Sequence, residues 1–343
     1  MAHTRLEIRV EDPYNLELTL FPSFVLTIYR RRGDAWERYA GKVPIRAFVQ
    51  QVEERLLVEL LKPSDRDEEV EEVLSLELGT WHPPFEQRIG EAPPRFAEVL
   101  SRLSHMYRGV RLSIAPHEAD LLFVAVALSK RTDYHRMVLK WLQKLWEVFG
   151  GDLEEIAEAS KEELVRVGTS YQVMELPALV SQFLELKKSS RTQSLLKAQS
   201  LRRSDVFELR TLLLRRIKGI GPKAVDAFLM STKKAPWLLP CDANLQRIVS
   251  RTGLVKGFVS PQKALCARYA CDREVADELE MEFCPLAEDG RCLVALLSDL
   301  GELRQWFQTL CYIHGKLRCL PLKPRCGDCA LLEICEYAEQ RRR

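Results

Sequence analysis

The stretch IKGIGPKAVDAFL, residues 217–229, restricts the fold more than any other. Two glycines flank a single isoleucine, a proline follows, and a run with helical apolar spacing begins at once. Upstream, ELRTLLLRRI (208–217) repeats its apolar residues at helical spacing and stops at Gly219. Pro222 suits the first turn of a helix, where its missing N–H is not needed. The segment therefore predicts two helices joined by a tight hairpin. Its glycines permit unusual backbone angles and clear side chains from a close approach. Ile220 would tuck inward, leaving N–H groups at the start of the second helix free to hold an anion.

Lys223 stands one residue inside that second helix. A helix N-terminus disfavours a cation, and partial burial pushes the same way, toward a neutral amine that can act as a nucleophile. Further on, in WLLPCDANLQRIVSRTGLV (237–255), Asp242 precedes another apolar-periodic run and suits its N-cap. A surface lysine and an ordinary cap would account for each residue separately. Together, in this order, they point to a site.

The C-terminal run HGKLRCLPLKPRCGDCALLEICEY spaces Cys319, Cys326, Cys329 and Cys335 as C-x6-C-x2-C-x5-C. Four thiolates in so short a loop can wrap one compact metal centre. A structural zinc site usually pairs two Cys-x-x-Cys knuckles and this loop has one, but spacing alone leaves zinc open. Cys266, Cys271, Cys284 and Cys292 lie in a second cysteine-rich stretch, for which free thiols, a disulfide or a second metal site all remain open. Cys241 and Cys311 read as core residues.

Composition sets outer bounds. The formal net charge of +2 is too small to imply a nucleic-acid partner, so that inference must come from local charge. Basic residues do outnumber acidic ones from Lys187 to Lys234, around the hairpin. No run is long and apolar enough for a membrane span, and the first residues lack the apolar core of a signal peptide. The expectation is a cytoplasmic protein without a membrane partner, nucleoid-associated if prokaryotic. In that setting ten cysteines suggest metal ligation or buried thiols before disulfides.

The periodicity divides the chain. RLEIRVE, YNLELTLF and SFVLTIYRR alternate like strands, and RRGDAWERYAG carries a Gly-Asp turn signal. From about residue 96 the spacing becomes helical in RFAEVLSRLSHMY, HEADLLFVAVALS, YHRMVLKWLQKLWEVF and KEELVRV. The predicted class is α+β. A β-rich domain (1–110) precedes a helical barrel domain with the hairpin (111–236) and a helical, cysteine-bearing domain (237–343) completed by residues near 104–116.

The run from IKGIGPKAVDAFL to LPCDANLQRIVSRTGLV resembles the helix-hairpin-helix DNA glycosylases, the superfamily of endonuclease III, 8-oxoguanine glycosylase and the alkyladenine glycosylases. In that pattern a Gly-apolar-Gly hairpin is followed by a catalytic lysine in bifunctional members and by an invariant aspartate; Lys223 and Asp242 fall on those positions. The family's aspartate is often followed by Thr-His, whereas this chain has Ala243 and Asn244. The cysteine tail is similar to the [4Fe–4S] loop of endonuclease III, and the resemblance implies that cofactor on Cys319, Cys326, Cys329 and Cys335. More loosely, DPYNLELTLFPSFVLTIYRRRGDAWERY resembles the β-domain of 8-oxoguanine and alkyladenine glycosylases. The glutamate that adenine-removing relatives use is missing, because Val124 to Leu128 is apolar throughout.

The resemblance thus implies a monomeric repair glycosylase with abasic-site lyase activity, acting on damaged double-stranded DNA. Lys218, Gly219, Ile220, Gly221, Arg131, Lys323 and Arg325 are the expected DNA contacts. The alternatives are a monofunctional glycosylase, in which Lys223 only positions, and a non-catalytic iron–sulfur DNA-binding protein.

Overall fold

The protein is described by a computed structural model over residues 4–61 and 67–342. Near the N-terminus, β1 (Thr4–Arg9), β2 (Tyr29–Arg32), β3 (Ala35–Arg38), β4 (Ala47–Val52) and β5 (Arg55–Leu60) form one antiparallel sheet. Its strand order is β1-β5-β4-β3-β2, so the first strand pairs with the last, Leu6 opposite Val58. The expected Gly-Asp turn is a two-residue hairpin loop, with Arg32 opposite Ala35 and Gly33 at φ +57°.

One expected strand is helical, and another is extended only at its end. Residues Leu16–Leu20 form a helical turn whose N-cap, Asn15, accepts a hydrogen bond from the Leu18 amide. Residues Phe24–Ile28 form a 3-10 turn capped the same way by Ser23, and extended chain resumes only at Tyr29. Side-chain oxygens at the two caps offer the backbone a local partner, which outweighs a short alternating pattern. Among the described residues no strand follows Leu60, and the elements after the sheet are helices.

The longer helices of the described residues are α1 (Asp67–Glu77), α2 (Pro94–Met106), α3 (Ala119–Leu128), α4 (Leu139–Phe149) and α5 (Leu176–Lys187), followed by α6 (Arg203–Arg216), α7 (Pro222–Thr232), α8 (Ala243–Arg251) and α9 (Arg304–Leu317). Helix α3 is apolar all round and buried on every side, as the central member of a bundle must be. Two large cores result. One joins the sheet (Val49, Leu56, Val58) to the helices between Ala115 and Leu238. The other joins Phe85–Leu112 to the C-terminal helices through Phe96, Leu245, Trp306 and Phe307.

The sheet is locked to the helices by charge as well as by apolar contact. Arg38 on β3 is fully buried and reaches Glu77 at 2.8 Å and Glu118 at 2.9 Å, while His117 Nε2 lies 2.7 Å from Glu77. Burial alone would raise the Glu77 carboxyl; the adjacent Arg38 charge and the His117 hydrogen bond hold it down at about 2. No described helix is long and apolar enough to cross a membrane.

Candidate active site

The predicted hairpin forms between α6 and α7. Ile217 and Ile220 are buried and pin the turn, whereas Lys218 and Gly219 are exposed. Gly219 takes φ +86°, and Gly221 is the N-cap of α7 with open space where a Cβ would stand. The Lys218 amide is held by the side chain of Gln182 at 2.7 Å. Among the described residues, the amides of Gly219, Ile220 and Gly221 have no partner.

Lys223, on the first turn of α7, opens into a cleft of about 1460 Å³ including its mouth. Asp242 lines the same cleft from the start of α8. Burial pushes the Lys223 amine below its usual value and the Lys316 charge adds to this, while Asp242 pulls the other way. Burial is the larger influence, so the amine gives up its proton more readily than a free lysine does.

Asp242 is 8% exposed and held at both oxygens. Oδ1 accepts from the Leu245 amide at 2.8 Å, the cap predicted for it, and Oδ2 accepts from Asn244 Nδ2 at 3.0 Å. Asn244 is itself fixed by Arg247, whose Nη2 donates to its Oδ1 at 2.6 Å. The Arg247 guanidinium also donates to the carbonyls of Cys319 at 2.7 Å and Gly315 at 3.1 Å. A chain of hydrogen bonds therefore runs from the cysteine tail to the Asp242 carboxylate. Gly315 makes this approach feasible, because a Cβ there would stand 2.6 Å from Asn244.

The opposite wall is the loop after α3. Arg131 lines the cleft, is exposed and has φ +51°, a backbone conformation that side chains other than glycine rarely adopt. Asp133 anchors Lys316 at 2.9 Å across the cleft. Phe24 and Tyr134 meet edge to face at 4.9 Å, and with Tyr312 they supply aromatic surface. Sequence reasoning overlooked Arg247, Tyr312 and Phe24, because only the packing of distant elements aims them at Lys223.

The four tail cysteines converge. Cys319, Cys326, Cys329 and Cys335 line one pocket of about 380 Å³ with Ile248, Leu331, Arg251 and Arg318. All four are free thiols, and Arg251 Nη1 lies 3.2 Å from the Cys319 sulfur. Lys323 and Arg325 are exposed on the loop between the first two, next to Leu322, which is 90% exposed. Pro321 of that loop reaches the rim of the cleft.

The basic run from Lys187 to Lys234 is not a basic face. Arg210 is buried in an ion pair with Asp226 at 2.5 Å. Lys187 pairs with Asp120, Arg191 with Asp205 and Glu208, Arg202 with Glu278, and Arg203 with Asp272. Lys233 is buried and caps the carbonyls of Leu196 and Ala198, and burial lowers its amine to about 7. Among the described residues of this run, Lys197, Arg215, Arg216 and Lys218 are exposed without a carboxylate partner, the last three beside the hairpin.

In its overall fold, a five-stranded sheet joined to a helical bundle, the chain is similar to solved DNA glycosylases. The 8-oxoguanine glycosylase/lyase of Clostridium acetobutylicum, in complex with double-stranded DNA containing cytosine opposite 8-oxoguanine, superposes with a TM-score of 0.61 at 13% identity, covering 92% of this chain and 98% of that one. Its apo form gives 0.60 at 12% identity over 91% and 97%. The 3-methyladenine DNA-glycosylase of Archaeoglobus fulgidus gives 0.57 at 17% identity, over 92% of this chain and 100% of the other. No family model and no curated protein matches the sequence.

Proposed function

We propose that this protein is a DNA glycosylase of base excision repair that removes a damaged base from duplex DNA and then cleaves the abasic strand through Lys223. The observation that carries the reading is the pairing of Lys223 and Asp242 in one cleft beside the hairpin, with burial making the amine easier to deprotonate. The free amides of residues 219–221 and the Lys218 charge hold a backbone phosphate, which supplies affinity without sequence preference. The damaged nucleotide turns out of the duplex into the cleft, where Phe24, Tyr134 and Tyr312 offer aromatic surface to a base.

As the glycosidic bond breaks, the base leaves with the bonding electron pair and Asp242 stabilises the cationic sugar. The Lys223 nitrogen bonds to the anomeric carbon and loses its proton. Ring opening gives a Schiff base, and loss of a proton from the neighbouring sugar carbon expels the 3′ phosphate. Arg131, Lys323 and Arg325 contact the duplex around the flipped nucleotide.

Cys319, Cys326, Cys329 and Cys335 are assigned to a [4Fe–4S] cluster. The fit is supported by four free thiols around one pocket with arginines beside them. When bound, the cluster supplies a rigid anionic hub for the tail. The chain's own part is to hold the Cys319 carbonyl where Arg247 can use it.

Borohydride trapping on duplexes carrying single lesions, among them 8-oxoguanine opposite cytosine and 3-methyladenine, tests the mechanism. A covalent adduct is expected with the wild type. Lys223→Gln should abolish the adduct while keeping DNA binding, and Asp242→Asn should slow base release about 10²–10⁴-fold. An adduct that survives in the Lys223 variant would place the nucleophile elsewhere. Base release without strand cleavage would make the enzyme monofunctional.

A further inference from the structure

A second pocket lies behind the segment that carries Asp242. Its volume is about 810 Å³ including its mouth, and Phe207, Trp237 and Phe283 give it aromatic surface. It shares two elements with the reaction cleft. On α7, Lys223 and Ala227 line the cleft while Asp226 lines the second pocket. In the segment that follows, Trp237, Leu238 and Leu239 line the pocket, and Pro240, Cys241 and Asp242 line the cleft. The two spaces therefore stand back to back, with one helix and one short segment between them.

The charges around the pocket do not cancel. Arg210 and Asp226 are buried and paired with each other at 2.5 Å. Asp272 is taken by Arg203 at 2.8 Å, and that guanidinium lies over the Trp237 ring at 5.1 Å. Arg273 faces Glu288 at 3.8 Å and lies over the Phe283 ring at 4.2 Å. Arg304, the first residue of α9, also lines the pocket. Its Nε is buried without a hydrogen-bond partner, and no carboxylate forms an ion pair with its guanidinium among the described residues. Asp299, close by in sequence, is bound to Arg95 at 2.7 Å instead. A buried N–H without an acceptor is costly, and a guanidinium without a counter-charge more so.

We propose that this pocket binds a small planar anion, a ring carrying a phosphate or a carboxylate, with Arg304 holding the charged group. Pockets of this size, lined by aromatic side chains around a few polar groups, are where small ligands are held. The ring lies against the aromatic side chains, and the anionic oxygens accept from the guanidinium, whose fork matches phosphate and carboxylate alike. Such an occupant touches neither Lys223 nor Asp242, because both face the other side of the partition. It bears instead on residues 237–239, which lead directly into Pro240 and Asp242. The site stands whether or not the chain cleaves DNA.

The test is isothermal titration calorimetry of the full chain with two anionic probes, deoxyguanosine monophosphate and naphthoate. Deoxyguanosine and inorganic phosphate serve as the ring and the anion alone. At least one anionic probe should bind with a Kd below about 1 mM, and the uncharged ring and the bare anion about tenfold or more weakly. Preference for the nucleotide would assign the anion to a phosphate, and preference for naphthoate to a carboxylate. Arg304→Gln should weaken binding of the preferred probe about tenfold or more. A duplex carrying a tetrahydrofuran abasic analogue, added in excess, should not displace that probe, because it fills the other cleft. If Arg304→Gln does not fold, a crystal structure of the wild type with the preferred probe decides, with its anionic group expected against Arg304. Failure of both anionic probes to bind, equal binding by inorganic phosphate, binding indifferent to Arg304→Gln, displacement by the duplex, or a probe seated elsewhere would each overturn the proposal.

Discussion

Asp242 takes hydrogen bonds from a backbone amide and from Asn244, and Asn244 is held in turn by Arg247. That places two side chains between the cysteine tail and the Asp242 carboxylate. Arg247→Ala is expected to lower kcat about tenfold or more while leaving KM nearly unchanged, because misplacing a group by a fraction of an ångström weakens transition-state contacts before ground-state binding. A rise in KM with unaltered kcat would instead mean that Arg247 binds DNA directly. The helix-start positions of Lys223 and Asp242 are legible in the sequence, since a proline after glycine marks one and a capping aspartate the other. Arg247 is not, because its role depends on α8 meeting α9 at Gly315, a contact between residues 68 positions apart.

The hairpin separates two functions of glycine. Gly219 is needed for its positive φ, and a Cβ there would also meet Leu179 at 3.3 Å. Gly221 has φ −120° and open space where an added methyl group would stand, so nothing in the fold requires it. Gly219→Ala should therefore destabilise the protein by about 1–2 kcal/mol in urea unfolding. Gly221→Ala should leave the unfolding midpoint unchanged and weaken DNA binding, because its methyl group projects where a phosphate must sit. Equal binding by the Gly221 variant and the wild type would remove the phosphate from this turn. Helices are the most legible elements in the sequence, as their apolar spacing persists over several turns. Residues 15–28 are not, because the hydrogen bonds of Asn15 and Ser23 decide the local conformation while the apolar pattern suggests strands.

At the scale of the molecule, sheet and bundle share one core and one buried ion network, so they should unfold together. Glu77 has a folded-state carboxyl held at about 2, below its unfolded value. The stabilisation it provides is complete above about pH 4.5 and disappears as the pH falls toward 2, a difference on the order of 3 kcal/mol. Comparing the wild type with Glu77→Gln across that interval isolates the contribution. A stability gap between them that stays constant on acidification would show that Glu77 is not the titrating group.

The internal pairing of Lys187, Arg191, Arg202, Arg203 and Arg210 reaches beyond folding. A cation already matched to a carboxylate displaces few sodium ions from a duplex. With exposed, unmatched charge in that run reduced to Lys197, Arg215, Arg216 and Lys218 among the described residues, binding should release only a handful of counterions. A plot of log affinity against log salt should then have a slope near about −4, where the whole basic run acting on phosphates would approach about −12. Over a fourfold rise in salt such an enzyme would lose about 250-fold in its hold on DNA, where one gripping phosphates with the whole basic run would lose about 10⁷-fold.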